Sequence, residues 1–151
     1  MSADPHDLAE QLDAVVLAVF RSATADRRQL SLTAAAVLAR LQRVGPARLT
    51  ELATGEGITQ PSMTTLVARL VAQGLVDRAV DPADRRAVVL TLTPAGADLL
   101  ARRRADRTDR LAPHLAELSP EERERIAGAM PALSRLAGAV RRSRTPMEVS
   151  R

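Results

Sequence analysis

Residues 59–70 read TQPSMTTLVARL, and the chain continues through VAQGLVDRAV (71–80), DPADRR (81–86) and AVVLTLT (87–93). The first stretch has the grammar of a helix start. Thr59 stands where exposed amides need a cap, and Pro61 falls in the first turn, where no amide donor is missed. Met63, Leu66, Val67 and Leu70 recur at helical spacing and give that helix one apolar side. Gly74 ends it. The period then switches: Leu75 to Val80 and Ala87 to Thr93 read as strands, with Val88, Leu90 and Leu92 alternating against Val89 and Thr91. DPADRR is the polar turn between them.

Towards the N-terminus, a short helix at about 48–53 ends at Gly55 and Gly57. Before it, a helix from about Thr33 through Leu38 and Leu41 stops at Gly45-Pro46, a left-handed cap followed by a residue that cannot continue the helix. Residues 7–22 place Leu8, Leu12, Val15, Val16, Val19 and Phe20 on one helical stripe. Towards the C-terminus, Thr93-Pro94 opens a long helix at about 94–117, with a kink expected near Pro113. Ser119-Pro120-Glu121-Glu122 is a capping box. The last helix carries Ile126, Met130, Leu133, Ala137 and Val140, and a kink or break is expected at Pro131. From Arg141 onward apolar periodicity is lost and a mobile tail is expected. The fold class is mainly α with a small β-hairpin: a helix-turn-helix followed by a wing.

Composition narrows the function. A chain of 151 residues fits one domain, or one domain plus an arm, and buries a core without disulfides or metal. It has no cysteine, one aromatic residue (Phe20) and two histidines (His6 and His114). That excludes a disulfide scaffold, thiolate zinc sites and thiol redox switching, and disfavours a histidine cage or an aromatic RNA-stacking surface. No metal site and no cofactor is expected. The longest apolar run, Ala14 to Phe20, is too short for a bilayer and no signal segment opens the chain, so a cytoplasmic protein without membrane contact is expected.

All 22 basic residues are arginine, and the net charge is +4. The high pI of about 11.2 reflects the absence of Lys, Tyr and Cys more than a large cationic excess. Residues 1–45 and 46–93 each hold five Arg and five acids; residues 94–151 hold twelve Arg and eight acids and carry the whole excess. A polyanion partner is permitted without being demanded. Alanine and arginine both have GC-rich codons, so arginine-for-lysine usage is not by itself a functional signal.

In a helix-turn-helix the second helix lies in the major groove with its N-terminal residues at base edges. Thr59, Gln60, Ser62, Thr64 and Thr65 supply short or amide-bearing side chains there, and glutamine pairs bidentately with adenine. Arg85 and Arg86 at the hairpin tip suit a minor groove. Plainer readings stand beside these. The polar face is also what a capped, solvated helix looks like; Arg86 also suits a salt bridge to Asp84; Arg69 fits a phosphate contact or an intramolecular ion pair equally. Arg78 is expected to hold the wing base against an acid. The run Arg102-Arg103-Arg104 with Arg107 and Arg110, among Asp98, Asp106 and Asp109, reads as a solvated face laced by helix ion pairs. Phe20 suits the core or an effector-stacking position. As a whole the chain reads as a DNA binder; the alternative is a winged-helix module that binds protein, which these arginines and hydroxyls fit less well than an apolar hot spot would. An enzyme is not expected, since there is no Cys nucleophile, no paired His with an acid and no Gly-rich phosphate loop.

LTAAAVLARL (32–41), LTELATGEGITQPSMTTLVARLVAQGLVDR (49–78) and DPADRRAVVLTLTPAG (81–96) together resemble the MarR family of bacterial winged-helix regulators. The likeness is close over about 31–97 and most specific in TQPSMTTLVARL, GLVDR and DRR followed by LT-PAG. It implies a sequence-specific double-stranded-DNA-binding transcriptional regulator: a ligand-responsive repressor acting as a homodimer on a pseudopalindromic operator. The implied DNA contacts are Thr59, Gln60, Pro61, Ser62, Thr64, Thr65 and Arg69 in the major groove, with Arg85 and Arg86 at the wing. Asp84 would orient the wing arginines. The implied units are 1–30, an N-terminal dimerisation helix; 31–93, the winged helix-turn-helix; 94–140, C-terminal dimerisation helices; and 141–151, a flexible tail. A small organic effector would bind between arm and lobe, near Phe20. Without cysteine the oxidant-sensing branch is excluded, and His6 with His114 does not make a metal sensor.

Overall fold

Val37, Leu38 and Leu41 from one helix, Leu52 from a second and Met63, Val67 and Leu70 from a third lose nearly all solvent contact, and Val76 and Leu90 close the cluster from a small sheet. Of these, Leu38, Leu41, Met63, Val67, Leu70 and Leu90 are positions that the sequence pattern singled out, and burial of the whole cluster shapes the central lobe. The chain is described by a computed structural model covering residues 4–23, 30–81, 84 and 87–143. In chain order the elements are α1 (Pro5–Ala23), α2 (Leu32–Val44), β1 (Ala47–Arg48), α3 (Leu49–Glu56), α4 (Gln60–Ala72), β2 (Val76–Val80), β3 (Val88–Leu92), α5 (Pro94–Ala116) and α6 (Pro120–Ser143). This is the mainly helical, winged helix-turn-helix architecture expected from the sequence.

Local chemistry explains the boundaries. The Ser31 hydroxyl accepts the Ala34 amide at 3.2 Å and opens α2, while Gly45 at φ 81° closes it. Ser119 and Glu122 form the expected reciprocal box: the Ser119 amide donates to Glu122 Oε2 at 2.8 Å and the Glu122 amide to Ser119 Oγ at 3.2 Å.

The sheet is antiparallel in the order β1-β3-β2. Arg48 lies opposite Val89, and Val89 opposite Ala79. Two residues are too few to show alternation, so the sequence pattern does not reveal β1, and Arg48 falls instead at the start of the helix expected at about 48–53. The hairpin β2–β3 ends at Val80 opposite Val88, and the Asp81 amide then donates to the Ala87 carbonyl at 3.0 Å to close the wing loop.

The wing is joined to α5 through Thr93. Its hydroxyl donates to the Gly74 carbonyl at 2.7 Å and accepts the Gly96 amide at 3.1 Å, while its own amide donates to the Leu75 carbonyl at 3.2 Å. Gly96 is the close-approach glycine of this joint: a Cβ there would collide with the Leu75 carbonyl and lie 2.7 Å from Leu92 Cδ1.

Three expectations need correction. The break allowed for at Pro131 does not occur; α6 continues through it to Ser143. Proline removes one donor, and on a helix without a single buried residue water can satisfy the carbonyl left behind. Helix α6 therefore runs past Val140, where its apolar stripe ends, so residues 141–143 are helical rather than tail; residues 144–151 lie outside the described residues. The third correction is Phe20, which is not a core residue of the lobe: it is 39% exposed on α1, together with Leu8, Val15, Val16, Leu17 and Val19. The α1 helix packs against α5 rather than into the central cluster.

Gly96→Ala tests the joint. Overpacking against backbone is expected to cost about 1–3 kcal/mol, read as a lowered urea midpoint at unchanged m-value. A wild-type midpoint would show that α5 can slide away from Leu75 without cost.

Candidate nucleic-acid interface

Helix α3 leads through Gly57, at φ 67°, into α4. Met63, Leu66, Val67 and Leu70 face the core, which leaves Gln60, Pro61, Ser62, Thr64, Thr65, Ala68 and Arg69 exposed on the opposite side. The predicted α4 contact residues thus share one solvent-facing surface, beginning at the helix N-terminus.

The hydroxyls are arranged differently from the expectation. Thr59 has the extended backbone of a cap residue but accepts no amide; its Oγ1 donates to Ser62 Oγ at 3.0 Å. The first amides of α4 are therefore not covered by a side-chain cap, and an uncapped helix N-terminus favours an anion. Thr64 Oγ1 donates to the Gln60 carbonyl at 2.9 Å and Thr65 Oγ1 to the Pro61 carbonyl at 3.1 Å. With the proton engaged, each oxygen faces outward as an acceptor. That suits the exocyclic amine of adenine or cytosine, and each methyl group suits the thymine methyl. Phosphate, itself an acceptor, would have to displace these internal bonds. Among the described residues Arg69 has no ion-pair partner, which removes the intramolecular reading of its charge.

Of the wing residues, Arg85 and Arg86 lie outside the described residues, together with Pro82 and Ala83. Asp84 is exposed within the loop; its amide donates to the Asp81 carbonyl at 3.2 Å and its carbonyl accepts the Ala87 amide at 2.9 Å. The base of the wing is held by a pair the sequence reading missed. Arg48 Nε and Nη2 both donate to Asp81 Oδ2, at 3.0 and 2.6 Å. The Asp81 carboxylate raises the Arg48 pKa above its ordinary value, first by hydrogen bonding and then by charge. Arg78, expected in this role, is exposed and pairs with no acid among the described residues. Nothing local signals the Arg48–Asp81 pair, whose partners are 33 residues apart.

The arginine run of α5 is a largely exposed face, but Arg102, Arg103, Arg104 and Arg107 make none of the expected ion pairs among the described residues. His6 and His114 are exposed beside Glu10 and Glu117, at 3.4 and 4.0 Å. No helix among the described residues is long and apolar enough to cross a membrane.

A helix-turn-helix whose second helix presents an uncapped polar N-terminus beside a β-hairpin defines a winged-helix DNA-binding protein. The sequence model of the MarR family matches residues 30–88. An uncharacterized HTH-type transcriptional regulator of Mycobacterium bovis, Mb0904, is 36% identical over 100 residues, covering 66% of this chain and 70% of that one. Among solved structures, the transcriptional regulator Tm0710 of Thermotoga maritima superposes with a TM-score of 0.73 at 25% identity, covering 94% of this chain and 99% of that one. Bordetella bronchiseptica BpsR, whose DNA binding is regulated by 6-hydroxynicotinic acid, matches with a TM-score of 0.54 at 27% identity, covering 89% and 95%. The chain belongs to the MarR family and is a DNA-binding transcriptional regulator, not an enzyme.

The uncapped start of α4 has a direct test. Thr59→Ala should lower unfolding stability by less than about 0.5 kcal/mol, whereas Ser31→Ala, which removes a real cap, should cost about 1 kcal/mol. Equal losses in urea titrations would mean that Thr59 caps α4 in solution.

Proposed function

We propose that the chain is a homodimeric, ligand-responsive repressor acting in the cytoplasm. In this reading α4 enters the major groove of a pseudopalindromic operator and the wing enters the adjacent minor groove. The observation that carries the groove assignment is the polar face of α4, with its open amides and outward-facing hydroxyl acceptors. Gln60, Ser62, Thr64 and Thr65 read base edges; Thr59, Pro61 and Arg69 lie against the backbone and groove wall. Arg86 enters the minor groove with Arg85 beside it, and Asp84 orients them.

Support for the dimer is the pair of helices that the single chain leaves uncovered. No residue of α6 is buried, although Ile126, Met130, Leu133, Leu136 and Val140 form an apolar stripe along it, and α1 exposes a second stripe. A helix of this kind is stabilised by burying its apolar face against a partner. A second copy supplies matching stripes, and two-fold symmetry then pairs two copies of α4 with two half-sites. The effector would act by population shift, favouring an arm geometry whose recognition helices miss successive grooves. Phe20, 39% exposed near the C-terminal end of α1, would lie against an aromatic ligand. The ligand known for BpsR, 6-hydroxynicotinic acid, is a rational first probe.

Selection of duplexes from a random pool by the purified protein tests the DNA reading. An inverted repeat with half-site centres about 34–36 Å apart is expected. Gln60→Ala should cost about 1–3 kcal/mol and relax one base position, while Arg86→Ala should weaken binding to all sequences and lower the salt-slope magnitude by about 1 per site. Because residues 46–93 are net neutral, the wild-type salt slope should stay well below a magnitude of about ten. Failure to enrich any duplex would refute the groove assignment.

The arm has its own test. Light scattering should give a dimer at micromolar concentration, and Met130→Glu, which places a charge in the α6 stripe, should shift it to monomer with little loss of lobe stability. A wild-type monomer would eliminate the dimer.

A further inference from the structure

We propose that Arg48 is a positioning residue that aims the wing for DNA binding; the proposal rests on the reading above, in which the wing enters a minor groove. The argument begins with the sheet. Strand β3 lies between β1 and β2, but β1 pairs only with Leu90 and Val89. Beyond Arg48 the chain turns away into α3, so the outer hairpin, from Val88 and Val80 to the loop, is a two-stranded ribbon without a third strand to steady it. Two-stranded ribbons twist more than wider sheets.

The Arg48 side chain makes up for the missing strand. Arg48, Val89 and Ala79 are direct cross-strand partners, and Asp81 stands two residues beyond Ala79, so Arg48 and Asp81 belong to the same face of the sheet. From β1 at one edge the guanidinium reaches across β3 to the residue that follows β2 at the other edge, where two of its N–H groups hold one carboxylate oxygen. Asp81 is where the ribbon becomes the loop, since its amide makes the closing bond to Ala87. The Asp81 side chain is only 12% exposed and the Arg48 side chain 42%, so the pair is shielded mainly on the wing side.

Arg48 also fixes the other half of the reading head. Its amide donates to Glu51 Oε2 at 2.9 Å at the start of α3. One residue therefore anchors the first helix of the helix-turn-helix through its backbone and the root of the wing through its side chain. A minor groove is about 6 Å wide, so a small swing of a loop at the end of a ribbon is enough to miss it. Holding the root before DNA arrives removes that ordering cost from binding, which is the benefit of preorganisation. A cation already committed to Asp81 acts through the wing, not on a phosphate.

The test uses the full chain, a duplex enriched by the wild type, and the variants Arg48→Gln, Asp81→Asn and their combination. Fluorescence anisotropy should show each single variant about tenfold weaker and the double variant no weaker than the worse single, because both remove one interaction. Hydroxyl-radical footprints should lose protection in the flanking minor grooves and keep it across the major-groove contacts. In the free protein, hydrogen exchange at the Asp81 and Ala87 amides should accelerate about tenfold while Leu90 stays unchanged. If Asp81→Asn binds like wild type while Arg48→Gln is weak, Arg48 touches DNA itself and the proposal is wrong. Uniform weakening of the footprint with faster exchange at Leu90 would also overturn it, by showing a merely structural role. If the wild type enriches no duplex, the groove reading fails separately, and the exchange data still decide whether Arg48 holds the wing: unchanged Asp81 and Ala87 rates would show that it does not.

Discussion

The orientation of α4 against α5 depends on one hydroxyl. Thr93 donates to the carbonyl of Gly74, in the turn that ends α4, and accepts the amide of Gly96, in the first turn of α5. Thr93 is nearly buried, so both bonds form where water competes poorly. The absence of a side chain at Gly96 lets the α5 backbone lie against the Leu75 carbonyl. The end of α4, the end of the wing and the start of α5 are thus fastened at one point. The recognition helix cannot turn relative to α5 without breaking bonds that are costly to leave unmade.

This constraint gives the sequence order its physical meaning. The strands between α4 and α5 return the chain to the end of α4 from which it left, so α4 and α5 meet there. Within α4 the division is equally economical. Four residues at helical spacing hold it to the core, and the residues between them remain free for a ligand. Residues 46–93 carry no net charge, so the proposed recognition would lean on directional groups: helix amides, a carboxamide and hydroxyl acceptors. Such groups favour discrimination among sequences over general attraction to phosphate.

What was legible in the sequence is what local rules govern. The apolar positions of α4, the Gly45-Pro46 stop and the Ser119–Glu122 box each depend on residues within a turn or two, and the structure shows all of them; β3 is present too, but Val88 and Val89 are both half-buried, so its alternation holds only from Val89 onward. The elements that escaped depend on distant partners or on competition between close ones. The β1 strand exists because β3 offers a free edge, not because Ala47-Arg48 alternates. Arg48 rather than Arg78 holds the wing because sheet order, invisible in the chain, puts β1 beside β3. Thr59 is a sound cap by residue type, but its hydroxyl donates to Ser62 Oγ and accepts no amide of α4. Phe20 follows the helical period yet lies outside the buried cluster, since periodicity reports that a face is apolar and not what covers it.

The uncovered stripes of α1 and α6 and the fastened Thr93 joint bear on regulation together. In the proposed dimer an arm that owes its burial to a second copy would be set in its geometry by that contact, and α5 would carry the geometry to α4 through the hydrogen bonds of Thr93. A ligand wedged against the arm need not touch the recognition helix to move it; it needs only to bind one arm spacing more tightly than another. The wing is tied in the same way, because Arg48 links its root to the start of α3 while Thr93 links its end to α4 and α5. Helix and hairpin would then travel as one body, and in the proposed dimer a change of arm spacing would displace major-groove and minor-groove contacts at once. Binding would be lost over a smaller movement than either contact alone would require, which makes a modest differential affinity for the two arm geometries sufficient to switch the protein off DNA.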